Sequence, residues 1–139
     1  MGAVLDAADR ALREEYPHFI VTAFMAMIDD EGVKTYANAG HPRPLMRLLD
    51  GSVPELAGGG LPLGLRTRGD EQYPTAELIA GSVLVCVTDG LMEAACDYEL
   101  GEARLRAILA DRTFDTAEDP AALIAAPSST ARYVTTSQS

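Results

Sequence analysis

The stretch Val83-Leu-Val-Cys-Val-Thr-Asp-Gly-Leu-Met-Glu-Ala94 decides how this chain is read. Five apolar residues, three of them valine, run without a polar break, then stop at Thr88-Asp89-Gly90. Such a short, β-branched run bounded by a turn signal reads as a buried strand, and Leu91-Met-Glu-Ala-Ala95 after it has helix-forming character. A strand holds whatever stands at its exit rigidly, and glycine beside it lets the backbone turn sharply. Asp89 is therefore well placed to offer a carboxylate to a hard, oxygen-seeking cation. Asp-Gly at a strand end is also an ordinary turn, and the spacing alone leaves both readings open.

Working outward, residues 4–16 carry Val4, Leu5, Ala8, Ala11 and Leu12 at helical spacing, with Pro17 as the stop. Residues 19–28 read as a buried strand, 29–32 as its turn and 33–39 as the returning strand of a hairpin. Asn38-Ala-Gly-His-Pro-Arg-Pro44 is turn chemistry. A short strand over 45–49, a turn at Asp50-Gly51 and a return over 53–56 make a second hairpin. A glycine-rich connection over 57–60 leads to Pro62-Leu-Gly64, and 71–78 reads as an edge strand before the run at 83–87. Beyond Asp89 come a short helix, a loop over 98–101, a helix over 102–109, and a helix over 120–126 capped by Asp119 with proline at its first position. From Pro127 the chain is crowded with Ser and Thr and has little to bury, so 127–139 reads as a disordered tail. Antiparallel strands with helices towards the two ends indicate an α+β domain over 1–126.

In this order, Phe19-Ile-Val-Thr-Ala-Phe-Met-Ala-Met-Ile-Asp29, Thr35-Tyr-Ala-Asn-Ala-Gly-His-Pro42, Leu61-Pro-Leu-Gly-Leu65 and Thr88-Asp-Gly-Leu-Met-Glu-Ala94 resemble the stage II sporulation protein E / RsbU group of metal-dependent PPM-type serine phosphatases. The resemblance runs from about Leu5 to Leu109. It implies an α/β-sandwich of antiparallel sheets flanked by helices. It also implies two Mn²⁺ or Mg²⁺ ions that ready a water for in-line attack on phosphoserine. The cations lower the pKa of that water and neutralise the phosphoryl oxygens, and carboxylates are the ligands such hard ions require. Asp89 matches the metal-binding aspartate of the family's Thr-Asp-Gly segment, and Gly90 matches its turning glycine. The implied substrate is a phosphorylated anti-sigma-factor antagonist in a bacterial partner-switching or stress-response pathway, with a sensor domain upstream or a second chain completing the fold.

Two parts of the family pattern have no match. The Gly-Asp-x-x-Asp segment expected before Phe19 is absent, and Ser128-Ser-Thr-Ala-Arg-Tyr-Val-Thr-Thr-Ser-Gln-Ser139 stands where an Asp-Asp-Ile-Thr-like strand belongs. The expectation is a phosphatase domain shortened at both ends, because one aspartate cannot hold two divalent cations. The competing expectation is a catalytically inactive remnant or interaction module that keeps part of the fold.

A net charge of −10 argues against nucleic acid and anionic membrane surfaces as partners. No signal peptide and no membrane-length apolar run is present. Cys86 and Cys96, without CxxC spacing, read as reduced thiols of a cytoplasmic protein. His41, beside Pro42, reads as a turn residue rather than a general acid. Gly58-Gly-Gly60 fits neither nucleotide-binding fingerprint. Glu93 near Asp89 reads equally as a group behind the metal ligand or as helix-start electrostatics, and Arg43, Arg66 and Arg68 read either as contacts to a phosphoprotein substrate or, as exposed arginines usually are, as solubilising charges.

Overall fold

The computed structural model describes residues 1–30, 32–66, 77, 79–93, 98–125 and 131–135. They form four α-helices and five strands arranged as two antiparallel sheets. The chain divides into two compact units, Met1–Arg43 with Ala57–Glu77, and Pro44–Leu56 with Leu78–Ser139.

In the first unit, α1 (Gly2–Glu15) ends one residue before Tyr16, as Pro17 requires. Strands β1 (Ala23–Asp29) and β2 (Gly32–Ala39) pair antiparallel from Ala23↔Ala39 to Asp29↔Gly32, with an irregularity between Met27 and Ile28. The hairpin read from the sequence is present, but its first strand starts four residues later than expected. Before it, Val21 exchanges both backbone hydrogen bonds with Leu63, at 3.1 and 2.8 Å, so the apolar run is split between two partners. Leu5 of α1 packs with Ala37, Ala39 and Leu63 into a small core. Small residues on β2 let the helix approach closely. Tyr36, buried beside Phe24, satisfies its hydroxyl by donating to the Ala57 carbonyl at 2.7 Å. Burial raises that phenol's pKa.

In the second unit, β4 (Val83–Val87) is the central strand, with β3 (Leu45–Arg47) on one side and β5 (Ala131–Thr135) on the other. Leu45 pairs with Val85, and Val85 with Tyr133. Leu84, Val85 and Val87 are buried, as the unbroken apolar run predicts. Helix α3 (Tyr98–Ala110) supplies Leu105 and Leu109 to the same core, a 3-10 turn (Arg112–Thr116) supplies Phe114, and α4 (Pro120–Ala125) supplies Ile124. Asp119 caps α4 by accepting from the Ala122 N–H at 3.1 Å, with Pro120 at its first position as read from the sequence.

Besides the later start of β1, the structure departs from the sequence expectation in four places. The tail holds a strand: residues 131–135, read as disordered, form β5, because the extended backbone of Ala-Arg-Tyr-Val-Thr satisfies the open side of β4. Its composition, dominated by flanking Ser and Thr, hides a five-residue segment of good β-propensity. The loop expected over 98–101 is instead the first turn of α3, where Gly101 is buried. The expected strand over 53–56 is only a return path. Pro54 has no N–H to donate; its carbonyl accepts from the Met46 N–H and the Leu56 N–H donates to the Pro44 carbonyl, around a single isolated bridge of Leu45 with Glu55. The strand over 45–49 is also shorter, ending at Arg47. The edge strand expected over 71–78 and the helix end at 126 lie outside the described residues, Glu77 excepted.

The buried cation Arg47 was not legible in the sequence. Its side chain is 3% exposed, and it donates from Nε to the Leu109 carbonyl at the C-terminal end of α3. Both its terminal nitrogens reach Asp115, Nη2 at 2.8 Å, while the guanidinium lies 5.5 Å from the centre of the Phe114 ring. A planar fork meets a carboxylate two-point, and the helix end adds partial negative charge.

Candidate metal centre

Asp89 stands where the sequence expectation put it, one residue beyond Val87-Thr88 at the exit of the central strand. It is the first residue of the five-residue helix α2 (Asp89–Glu93), whose first turn closes through Leu91 N–H to the Thr88 carbonyl at 3.0 Å. The order of events is local. Val83–Val85 pairs with β3 on one edge and Val83–Val87 with β5 on the other, so the end of β4 before Asp89 is held through β5, and Gly90 lies within the helix that follows. Asp89 is exposed, and no salt bridge among the described residues engages its carboxylate. A carboxylate that is not tied to a protein cation keeps all its lone pairs for a ligand.

Its surroundings are acidic. The Tyr98 hydroxyl at the start of α3 titrates above its ordinary value, first because it is partly buried, and then because Asp89, Glu102 and Glu55 face it with negative charge. Glu55 comes from the return path after β3 and Glu102 from α3, so three segments distant in sequence place carboxylates around one phenol. Of these, Glu102 is paired with Arg106 at 2.8 Å. Neither the helical placement of Tyr98, in a segment read as a loop, nor the charge that Asp89 and Glu55 exert on it was readable in the sequence.

Asp89 alone fits the donor chemistry of a hard divalent cation. Among the described residues, no three His, Cys, Asp or Glu side chains group closely enough to hold a metal ion. The described residues therefore do not assemble the carboxylate set of a binuclear centre.

The other residues weighed from the sequence fall elsewhere. His41 lies in the first unit, in a turn that Asn38 closes from both sides. Asn38 Oδ1 accepts from the His41 N–H, and Asn38 Nδ2 donates to the His41 carbonyl, each at 2.8 Å. Gly40 within that turn has φ +70°, and a Cβ there would fall 2.4 Å from Pro62 Cγ, so the Asn-Ala-Gly-His turn and the Pro62 turn are built against one another. Those bonds hold the His41 backbone in the turn, and its ring Nδ1 lies 3.4 Å from the Thr22 hydroxyl. Cys86 is a free thiol on β4, and burial pushes its pKa up to about 11, the reverse of what a nucleophilic cysteine needs. Cys96 and Arg68 lie outside the described residues.

Comparison with known proteins settles the family. The model of the stage II sporulation protein E (SpoIIE) family matches residues 1–133. The chain belongs to the SpoIIE family. Its fold is that of PP2C-type phosphatase domains. The Mn-presoaked phosphatase domain of SpoIIE from Bacillus subtilis superposes with a TM-score of 0.69 at 15% identity, over 99% of this chain and 66% of that one. The RsbU and RsbW domains of Rv1364c from Mycobacterium tuberculosis match with a TM-score of 0.66 at 25% identity, over 91% of this chain and 37% of that one. The PP2C phosphatase domain of B. subtilis SpoIIE, with a fragment of its regulatory domain, matches at 0.54 and 19% identity, over 65% of this chain and 26% of that one. The SpoIIE-family chain thus spans just under two thirds of the first of these domains and less of the others. No curated protein sequence matches it. No helix among the described residues is long and apolar enough to cross a membrane.

Proposed function

We propose that this SpoIIE-family chain carries part of a Mn²⁺- or Mg²⁺-dependent protein serine/threonine phosphatase, with Asp89 as a metal ligand. The observation that carries the reading is the position of Asp89: fixed by the central strand of a PP2C-type fold, exposed, and outside every salt bridge of the described residues. A divalent cation held there would lower the pKa of a bound water and offset negative charge on a phosphoryl group. The substrate we propose is a phosphorylated anti-sigma-factor antagonist in a bacterial stress-response pathway, within the cytoplasm. In support, the mycobacterial relative joins an RsbU domain and an RsbW domain in one protein.

A second reading, an interaction module without turnover, is favoured by one specific observation: the described residues contain no group of three or more His, Cys, Asp or Glu side chains that could hold a metal ion. A single assay separates the two. The 139-residue chain is incubated with a phosphoserine protein and Mn²⁺, and released phosphate is followed. The phosphatase reading expects slow release that disappears with a chelator and in Asp89→Ala. No release above the metal-free blank supports the interaction module, and release indifferent to Asp89→Ala contradicts the metal assignment.

A further inference from the structure

The chain that leaves α1 is exposed although much of it is apolar. Every residue from Arg13 to Thr22 is exposed, and among them Tyr16 stands at 54% and Phe19 at 63%, with Ile20 and Val21 beside them. The backbone there is tied down. The Phe19 N–H donates to the Tyr16 carbonyl at 3.0 Å, and Val21 exchanges its two bonds with Leu63. The rings of Tyr16 and Phe19 meet edge to face, with centres 5.7 Å apart and planes at 74°. A fixed aromatic pair left in water adds little to the core of its own chain, and it has the character of an anchor for another molecule.

The charges beside the pair select the class of that molecule. Glu14 and Glu15 stand in the last turn of α1, where the helix dipole is negative and acids are unfavourable. Arg13, the basic residue of that turn, is already committed: Nε donates to Asp9 at 2.8 Å and Nη2 to the Arg66 carbonyl at 2.7 Å. No salt bridge among the described residues engages Glu14 or Glu15. Pro17 has no N–H, so the Arg13 carbonyl lacks its helical donor. Carboxylates, a helix C-terminus and aromatic faces, all between Glu14 and Phe19, favour the same ligand, a cation on an apolar stem. Guanidinium suits it best, because it stacks on rings and pairs with carboxylates at once. The net charge of −10 attracts a basic partner over longer range and opposes a second copy of the same face.

We propose that the end of α1 and the segment after it, Glu14 to Ile20, dock a basic segment of another protein, one that presents an arginine beside a large apolar side chain. The guanidinium stacks on Tyr16 and Phe19 and pairs with Glu14 and Glu15, while the apolar side chain covers Ile20. The surface uses neither Asp89 nor a metal, so its failure would leave the phosphatase reading untouched.

The test titrates the full chain, at constant ionic strength, with a set of serine-based nonapeptides that carry two leucines and one arginine moved through every position. Amide and aromatic NMR signals report both affinity and place. At least one peptide should shift the signals of residues 14–21, and its arginine-to-glutamine version should bind about fivefold more weakly, the worth of exposed charge pairs. Glu14→Gln with Glu15→Gln should weaken binding by a similar factor, and Phe19→Ser by about tenfold, as for an aromatic anchor. These side chains are exposed, so the variants keep the fold, and Glu14→Gln alone serves if the pair does not. Glu77→Gln with Glu118→Gln removes the same charge elsewhere and should leave binding unchanged. No response at 14–21 from any peptide, equal binding of the glutamine version, or an equal loss in the charge-matched control would overturn the proposal. So would sedimentation of the chain alone as a dimer that Phe19→Ser dissociates, because a second copy would then be the occupant.

Discussion

The two apolar strands β1 and β4 look alike in sequence and have opposite fates. Ala-Phe-Met-Ala-Met-Ile, the apolar part of β1, contains no fully buried residue, and Met27 is 55% exposed. Val-Leu-Val-Cys-Val in β4 has three residues exposed by 3% or less. The difference is in what flanks them. Strand β4 has a neighbour on each edge, and α3, α4 and the Phe114 turn supply the apolar core around it; β1 among the described residues has one neighbour in the ladder and a core of small residues. Hydrophobicity says that a strand prefers to be covered, and the rest of the fold decides whether it is. The carboxylate of Asp89 stands just past the end of the covered strand, where β5 still pairs with Val87.

That contrast can be broken by mutation. Leu109 is fully buried in the β4 unit, so Leu109→Ala should cost about 3–4 kcal/mol from lost burial plus the cavity left behind. Urea unfolding, followed by a midpoint shift without a change of slope, measures it. Arg47→Ala should cost about 2–3 kcal/mol in the same assay. It leaves the Leu109 carbonyl without its donor, but the stranded Asp115 is 54% exposed and can be rehydrated, which keeps the loss below that of a fully buried pair. Gly64→Ala tests the other unit. Left-handed backbone and a collision with the Phe19 carbonyl should cost about 1–3 kcal/mol, with amide exchange rising first over 19–21 and 62–66. Met27→Ala should change stability by less than about 0.5 kcal/mol. A large loss at Met27 would mean that β1 is covered after all.

The sequence made the strands visible wherever local signals agreed. The hairpin of β1 and β2, the turn at Gly51, the cap of α4 and the strand that carries Asp89 all rest on residues within a few positions of each other. It failed where a distant partner decided the outcome. Residues 131–135 pair with the side of β4 that β3 leaves open, and Tyr98 to Gly101 become the first turn of a helix whose Leu105 and Leu109 are buried in the core. Arg47 is buried because Asp115 and the end of α3, more than sixty residues further on, receive it. The same holds at the candidate site. Asp89 could be picked out from Thr-Asp-Gly after an apolar run, whereas Glu55 and Glu102 share its neighbourhood only through the folding of three segments.

The most direct test of the account is Mn²⁺ binding to the 139-residue chain, measured by electron paramagnetic resonance of the free ion, with and without Asp89→Ala. If the carboxylate at the end of β4 is a metal ligand, the substitution weakens Mn²⁺ binding by at least about tenfold, the loss of one charged oxygen donor, while the thermal midpoint stays within a degree or two. Equal Mn²⁺ affinity in the two proteins, at equal stability, would contradict it.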